Sequence, residues 1–187
     1  MKYIIFTLTI ILTMICSSKV IAQENEIVAK IPGIITIGNS MHSNFPGSMG
    51  YNNVKRISWG GQRSIQEGAK GPQRIKGETA LFKGTMVVEN LEVYPDLFNA
   101  STAGTFISEL EIDYICTTCS SHGGQSYYNT KFQEVIITSV SINPENITEV
   151  QISFDATGIE REFRIIDANG AITGTVPMKY SLPSSGQ

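Results

Sequence analysis

Histidine is nearly missing from this sequence: His42 and His122 are the only two in 187 residues. That scarcity excludes histidine-rich metal cages and leaves little material for imidazole-based acid–base catalysis. Tryptophan occurs once, as Trp59, and cysteine three times, as Cys16, Cys116 and Cys119. Charged residues make up 17% of the chain and the formal net charge is −3, so the strongly basic balance of a dedicated nucleic-acid binder is missing too. Apolar residues reach 41%, enough to offset chain entropy and exclude disorder over most of the length. At this size the expectation is one ordinary domain.

Long apolar runs are also lacking, with one exception at the start. Lys2 precedes the uncharged stretch from Tyr3 to Ser18, whose apolar heart from Ile4 to Ile15 has the length of a secretory signal rather than of a membrane span, which needs about 20 residues. Val20-Ile21-Ala22 then places short side chains where a signal peptidase cuts. Residues 1–22 are therefore read as a signal peptide, and Gln23 as the start of a mature domain over 23–187. Its removal takes Lys2 and Lys19 and moves the net charge from −3 to −5. The expected product is exported, periplasmic or extracellular, acidic, and without stable membrane insertion after cleavage.

What the mature chain has in abundance is two-residue alternation, the period of a strand with one buried face. Phe106, Leu110, Ile112 and Tyr114 alternate with Glu109, Glu111 and Asp113. Phe132, Ile136 and Val140 alternate with Gln133 and Ser139, although Val135 and Ile137 give the second face partial cover. Val150, Ile152 and Phe154 form a third such row, and Arg161, Phe163 and Ile165 a fourth. Turn formers separate these rows at Asn143 to Asn146, Ala156 to Gly158 and Asp167 to Gly170. Toward the amino terminus, Ile27 to Ile31 and Ile34 to Ile37 flank Pro32-Gly33, a loop runs from Gly38 to Gly50, and Val54 to Trp59 is a further strand candidate. Gly60 to Gly77 carries five glycines and no periodicity, the mark of a long excursion. One short helix is expected over Tyr94 to Ala103, with Pro95 in its first turn and Gly104 as its stop. The fold class is mainly β, an antiparallel barrel whose closure removes aggregation-prone edges.

Val54-Lys-Arg-Ile-Ser-Trp59-Gly60-Gly, the glycine-rich excursion, Val87 to Leu91 leading into Tyr94-Pro-Asp-Leu-Phe-Asn-Ala100, Glu134 to Ser141 and Glu145-Asn146-Ile147 follow one another in an order that resembles the type VI secretion tube protein family, the haemolysin-coregulated protein (Hcp). The resemblance spans nearly all of 23–187. It implies a compact barrel with one helix, hexameric rings that stack into a tube, and a lumen able to carry secreted effector proteins. The chain differs from the family's pattern in opening with an export signal, and in having Asn90-Leu91-Glu92 where members often carry a Lys-Asp pair.

The chemistry-bearing motifs are few. Cys116-Thr-Thr-Cys119-Ser-Ser-His122 offers three metal-ligating side chains, but a structural zinc site takes four. In an oxidising compartment a disulfide between Cys116 and Cys119 is the plainer reading; zinc and free thiols are its alternatives. Glu109/Glu111 and Glu160/Glu162 pair carboxylates on a strand face, which serves acid–base chemistry in glycosidases and solvation in most strands. No nucleophile elbow, phosphate loop or dinucleotide fingerprint occurs, so no enzyme activity and no cofactor are expected. Trp59 reads as a core residue in preference to a ligand platform.

Charge placement says more. Lys55, Arg56, Arg63, Lys70, Arg74 and Lys76 make a basic stretch relieved by Glu67 alone, whereas Glu145, Glu149, Asp155, Glu160 and Glu162 concentrate acid further on. Such blocks can meet between copies of one chain and set register in an assembly, or pair within a single chain. The reading taken is a non-enzymatic ring-former; the alternative is a monomeric secreted binding module that uses Gly60 to Gly77 for recognition.

Overall fold

The computed structural model describes residues 25–62, 81–117, 124–167 and 171–181. Its strands are β1 (Asn25–Lys30), the two-residue pair β2 (Met41–His42) and β3 (Phe45–Pro46), β4 (Tyr51–Gln62), β5 (Leu81–Val88), β6 (Phe106–Cys116), β7 (Gln125–Asn143), β8 (Asn146–Ile166) and β9 (Ile172–Ser181). One helix, α1 (Tyr94–Ala103), follows a 3-10 turn at Leu91–Val93.

The large sheet runs β5-β4-β1-β6-β7-β8-β9, and β8 pairs with β5 as well. That second pairing closes a ring of six strands and leaves β9 outside it. All pairings are antiparallel. β8 is the pivot: Val150 to Ala156 pair with β5, whereas Gly158 to Ile166 pair with β9. Over the second stretch β8 and β9 form a ribbon at the edge of the sheet, with β7 on the other side of β8 still paired to β6.

The barrel is filled by Phe132, Phe154, Met86, Leu110, Ile112 and Ile152, all fully buried. Phe132 and Phe154 meet edge to face with ring centroids 4.9 Å apart, an arrangement that adds to their area burial. Phe154 also lies over Gly84, where a Cβ would come within 2.3 Å of the ring, so only glycine admits it. Helix α1 forms where expected. The 3-10 turn before it is capped by Asn90, whose Oδ1 accepts the Glu92 amide at 3.1 Å, and the helix stops at Gly104 at φ +63. Leu97 and Ala100, three residues apart, face the core while the rest of the helix is largely exposed.

Several expectations need correction. Ala156-Thr157-Gly158 is no turn, because β8 passes straight through it. The buried faces also change phase there. Phe154 and Ala156 are buried below this point and Ile159 above it; Val135 and Ile137 are buried on one side of Glu134 and Phe132 on the other; Ile107 and Leu110 straddle Ser108 in the same way. The register places Ser108, Glu134 and Thr157 on one cross-strand row, and Glu134 holds a positive φ of 53. A single kink across three strands thus turns Ile136 and Phe106 outward, the latter 60% exposed, where strict alternation had put both inside. Ile34 to Ile37 is not a strand either. The amides of Ile34 and Ile35 both bond to the Ile31 carbonyl, at 3.3 and 3.0 Å, and the chain turns instead. β4 is longer than the expected Val54 to Trp59 and absorbs the start of the glycine-rich stretch; its remainder, from residue 63, lies outside the described residues.

The excursion from Gly38 to Gly50 folds back on the barrel's outer face. It is tied by Gly38 N to Gly47 O at 2.7 Å, Ser40 N to Tyr51 O at 3.0 Å and Asn44 Nδ2 to Gly124 O at 3.0 Å. A Cβ on Gly38 would stand 2.1 Å from the Tyr51 carbonyl oxygen, so this approach needs glycine. Asp113, expected to be solvated with Glu109 and Glu111, is only 2% exposed and accepts a hydrogen bond from Ser126 Oγ at 2.7 Å. Burial pushes its carboxyl above the usual range.

Candidate assembly surface

The charged residues singled out from sequence are mostly engaged inside their own chain. Lys55 Nζ pairs with Glu149 Oε1, and Glu149 also accepts from Asn143 Nδ2 and Asn146 Nδ2, each at 2.8 Å. These donors hold the Glu149 carboxyl down to about 2, with the Lys55 bond the largest cause. The same bond raises Lys55. Glu160 is bonded to Lys179 and to Gln133 Nε2, the latter at 2.7 Å, and the Lys179 bond lowers its carboxyl. Glu162 takes Arg164 Nε at 2.6 Å, and Asp155 lies 4.0 Å from Lys83.

Arg56 and Glu145 are exposed, and neither forms an ion pair among the described residues. Arg63, Lys70, Arg74 and Lys76 lie outside the described residues. The structure therefore joins Lys55 to Glu149 across β4 and β8, and among the described residues brings no other basic–acidic pair of that set together. The two glutamate pairs are likewise neutralised locally: Lys131 Nζ bridges Glu109 at 3.2 Å and Glu111 at 3.4 Å. Ion pairs of this exposed kind contribute about 0–1 kcal/mol each.

The surface that sequence reasoning passed over is apolar. On β8 and β9, Phe163, Ile165, Ile172, Val176, Met178 and Tyr180 are all exposed, Ile165 by 56%. Val176 stands opposite Phe163 and Met178 opposite Arg161, so these residues share the face that continues the barrel interior. A second group, Phe98 on α1 with Phe106 and its partner Ile136, is exposed elsewhere on the barrel. Contiguous exposed apolar side chains mark contact sites on a soluble protein. The signal was present in the sequence as Ile172-x-Gly-x-Val176-x-Met178-x-Tyr180, a strand pattern that the search for charge overlooked.

Cys116 is fully buried at the end of β6 and is disulfide-bonded; Cys119 and His122 lie outside the described residues. A disulfide sulfur is not a thiolate ligand, which removes Cys116 from the zinc reading. Among the described residues no group of three or more His, Cys, Asp or Glu side chains is arranged to hold a metal. No described helix is long and apolar enough to cross a membrane. Trp59, read as core, packs edge to face on Phe132 at 5.6 Å and has the Arg161 guanidinium 4.5 Å from its ring centroid.

Residues 28–162 match the family model described as "Type VI secretion system effector, Hcp". The chain belongs to the Hcp family. Solved Hcp structures share its fold. Hcp1 from Salmonella typhimurium superposes with a TM-score of 0.61 at 17% identity, covering 84% of this chain and 94% of that one. A type VI secretion system effector from Yersinia pestis gives 0.59 at 18% over 83% and 98%, and the secreted protein Hcp3 from Pseudomonas aeruginosa 0.53 at 14% over 84% and 99%. No curated protein matches the chain. The family match ends at Glu162, so most of the apolar ribbon lies beyond it.

Proposed function

We propose that this Hcp-family protein is a structural and carrier component of the type VI secretion kind, which assembles into rings of six and accepts secreted effector proteins as cargo. The observation that carries the reading is a closed barrel whose sheet continues, through β8 and β9, into a ribbon with one apolar face exposed in the single chain. Such a face is stable in water when a neighbour covers it. The family supplies the kind of neighbour, a second copy. Catalysis plays no part in this function: the carboxylate pairs are neutralised by Lys131, Lys179 and Arg164.

Export completes the proposal. Residues 1–22 act as a signal peptide, the domain 23–187 is released with Gln23 first, and the oxidising compartment closes Cys116 onto Cys119. The basic residues Lys55, Arg56, Arg63, Lys70, Arg74 and Lys76 and the acidic residues Glu145, Glu149, Asp155, Glu160 and Glu162 remain interface candidates, with Arg56 and Glu145 the best placed of those described.

Light scattering on the purified mature chain tests the assembly. A mass several-fold above one chain is expected; a monomer at every concentration sinks the ring. Amino-terminal sequencing of the exported product tests the signal, with Gln23 as the expected first residue.

A further inference from the structure

Arg161 is a cation in an apolar place. It stands on the face of β8 that carries Phe163 and Ile165, with its guanidinium 4.5 Å from the Trp59 ring centroid and 5.7 Å from that of Tyr128. Its Nε donates to the Tyr128 hydroxyl at 2.6 Å, and Nη1 reaches Met178 Sδ at 3.9 Å. Across the β7–β8 ladder it meets Thr130, which brings no charge. No carboxylate among the described residues pairs with it. A half-buried guanidinium without a counter-charge is costly, and the cost is recovered when a carboxylate arrives with the surface that completes its burial.

The second apolar group has the opposite shortage. Ile136 and its cross-strand partner Phe106 are exposed, as is Phe98 of α1, the helix that packs on β7. Two residues before Ile136, on the same exposed face of β7, stands Glu134. Its carboxylate accepts the Thr157 hydroxyl and forms no ion pair among the described residues. Helix α1 adds Asp96, exposed and likewise without an ion pair among them. One apolar surface thus holds a cation without a carboxylate, and the other holds carboxylates without a cation.

We infer, resting on the ring proposed above, that the β8–β9 face of one copy docks on the Phe98, Phe106 and Ile136 face of the next, and that Arg161 pairs with Glu134 across that junction. The placement of the two faces fits a head-to-tail contact. Tyr128 of β7 stands opposite Phe163 in the ribbon, and Ile136 lies eight positions further along the same strand, about 26 Å away. Both faces are carried by one sheet, so a single chain cannot lay one on the other. Contact between like faces would cover one and leave the other in water, and would set Arg161 against Arg161. Contact between unlike faces covers both and pairs their charges, and repeated from copy to copy it generates a ring.

Exchanging the two charges between copies tests the pairing. In Arg161→Glu every junction sets two carboxylates together, and in Glu134→Arg every junction sets two cations together. By light scattering on the full mature chain, each variant alone is expected to need at least about tenfold more protein to reach the parent's assembled mass, the factor that 1.4 kcal/mol represents. An equimolar mixture of the two variants restores opposite charges at every junction of an alternating ring, and should assemble at the parent's concentration. Circular dichroism checks that each variant is folded. Should a charge variant not fold, Phe106→Ser with Ile136→Ser probes the same face. Both positions are exposed, so the urea midpoint of the free chain should stay near the parent's while the assembled mass falls.

If the parent assembles and either folded charge variant assembles equally well, or the mixture stays as weak as its components, the pairing is overturned and the ring stands. A ring that ignores the double change at Phe106 and Ile136 overturns it too. A mass that stops at two copies overturns the head-to-tail contact. If the parent is a monomer at every concentration, the ring reading itself fails and this inference falls with it.

Discussion

The two halves of β8 carry nearly the same alternation and meet opposite fates. Val150, Ile152 and Phe154 are buried because β5 closes the barrel on that side; Phe163 and Ile165 are exposed because β9, itself uncovered, is their neighbour. The difference teaches that a period of two states which side chains share a face. It does not state whether anything covers that face, which depends on strand pairing far away in sequence.

The comparison breaks most visibly in the barrel half. Phe154→Ala removes a ring that touches Phe132 and fills the space over Gly84, and is expected to cost about 3–5 kcal/mol in urea unfolding. Gly84→Ala attacks the same contact from the other side by driving a methyl group into the ring, with an expected loss of about 1–3 kcal/mol. In the ribbon half, Val176→Ser together with Met178→Ser should change the stability of the isolated chain by no more than about 0.5 kcal/mol per site, since both are exposed. The same double change should lower the assembled mass seen by light scattering. A large stability loss with unaltered mass would mean that the ribbon is held by its own chain.

Two carboxyls sharpen the contrast through pH. Glu149 titrates near 2 in the folded state against an ordinary 4.5, so its stabilisation is present above 4.5 and is lost as pH falls toward 2. Asp113 is shifted upward by burial, so it acts with the opposite sign: stability falls as pH rises from its ordinary 3.8 through the folded value. Stepwise urea titrations from pH 2 to 7 should show Glu149→Gln flattening the acid-side loss and Asp113→Asn flattening the opposing slope. The smallest effect is expected at Lys83. Its contact with Asp155 spans 4.0 Å between solvated groups, and Lys83→Ala should stay within about 0.5 kcal/mol.

Much of the architecture was legible because its causes are local. Pro95 and Gly104 bracket the helix through backbone geometry alone, and the two-residue loop between Asn143 and Asn146 makes its hairpin with the chemistry of its own residues. The order of motifs around Trp59 and Tyr94 pointed to the Hcp family, and the family match over residues 28–162 agrees. The assembly surface was read less well. Charge blocks drew attention to Lys55 and Glu149, which satisfy each other, and away from Val176 and Met178, which stand half exposed.

By itself the sequence determined most of the antiparallel strands, the helix α1 and the turn between Asn143 and Asn146, since propensity, period and turn chemistry act over a few residues. Only the tertiary structure decided that β8 joins β5, that Ser108, Glu134 and Thr157 line up as one kink, that Asp113 is buried against Ser126, and that Arg161 faces Thr130 without a carboxylate among the described residues. Each of these joins residues tens of positions apart, and each is settled by how a closed ring of strands distributes its inward and outward faces. No window along the chain contains that information, because a strand's environment is built by its neighbours in space.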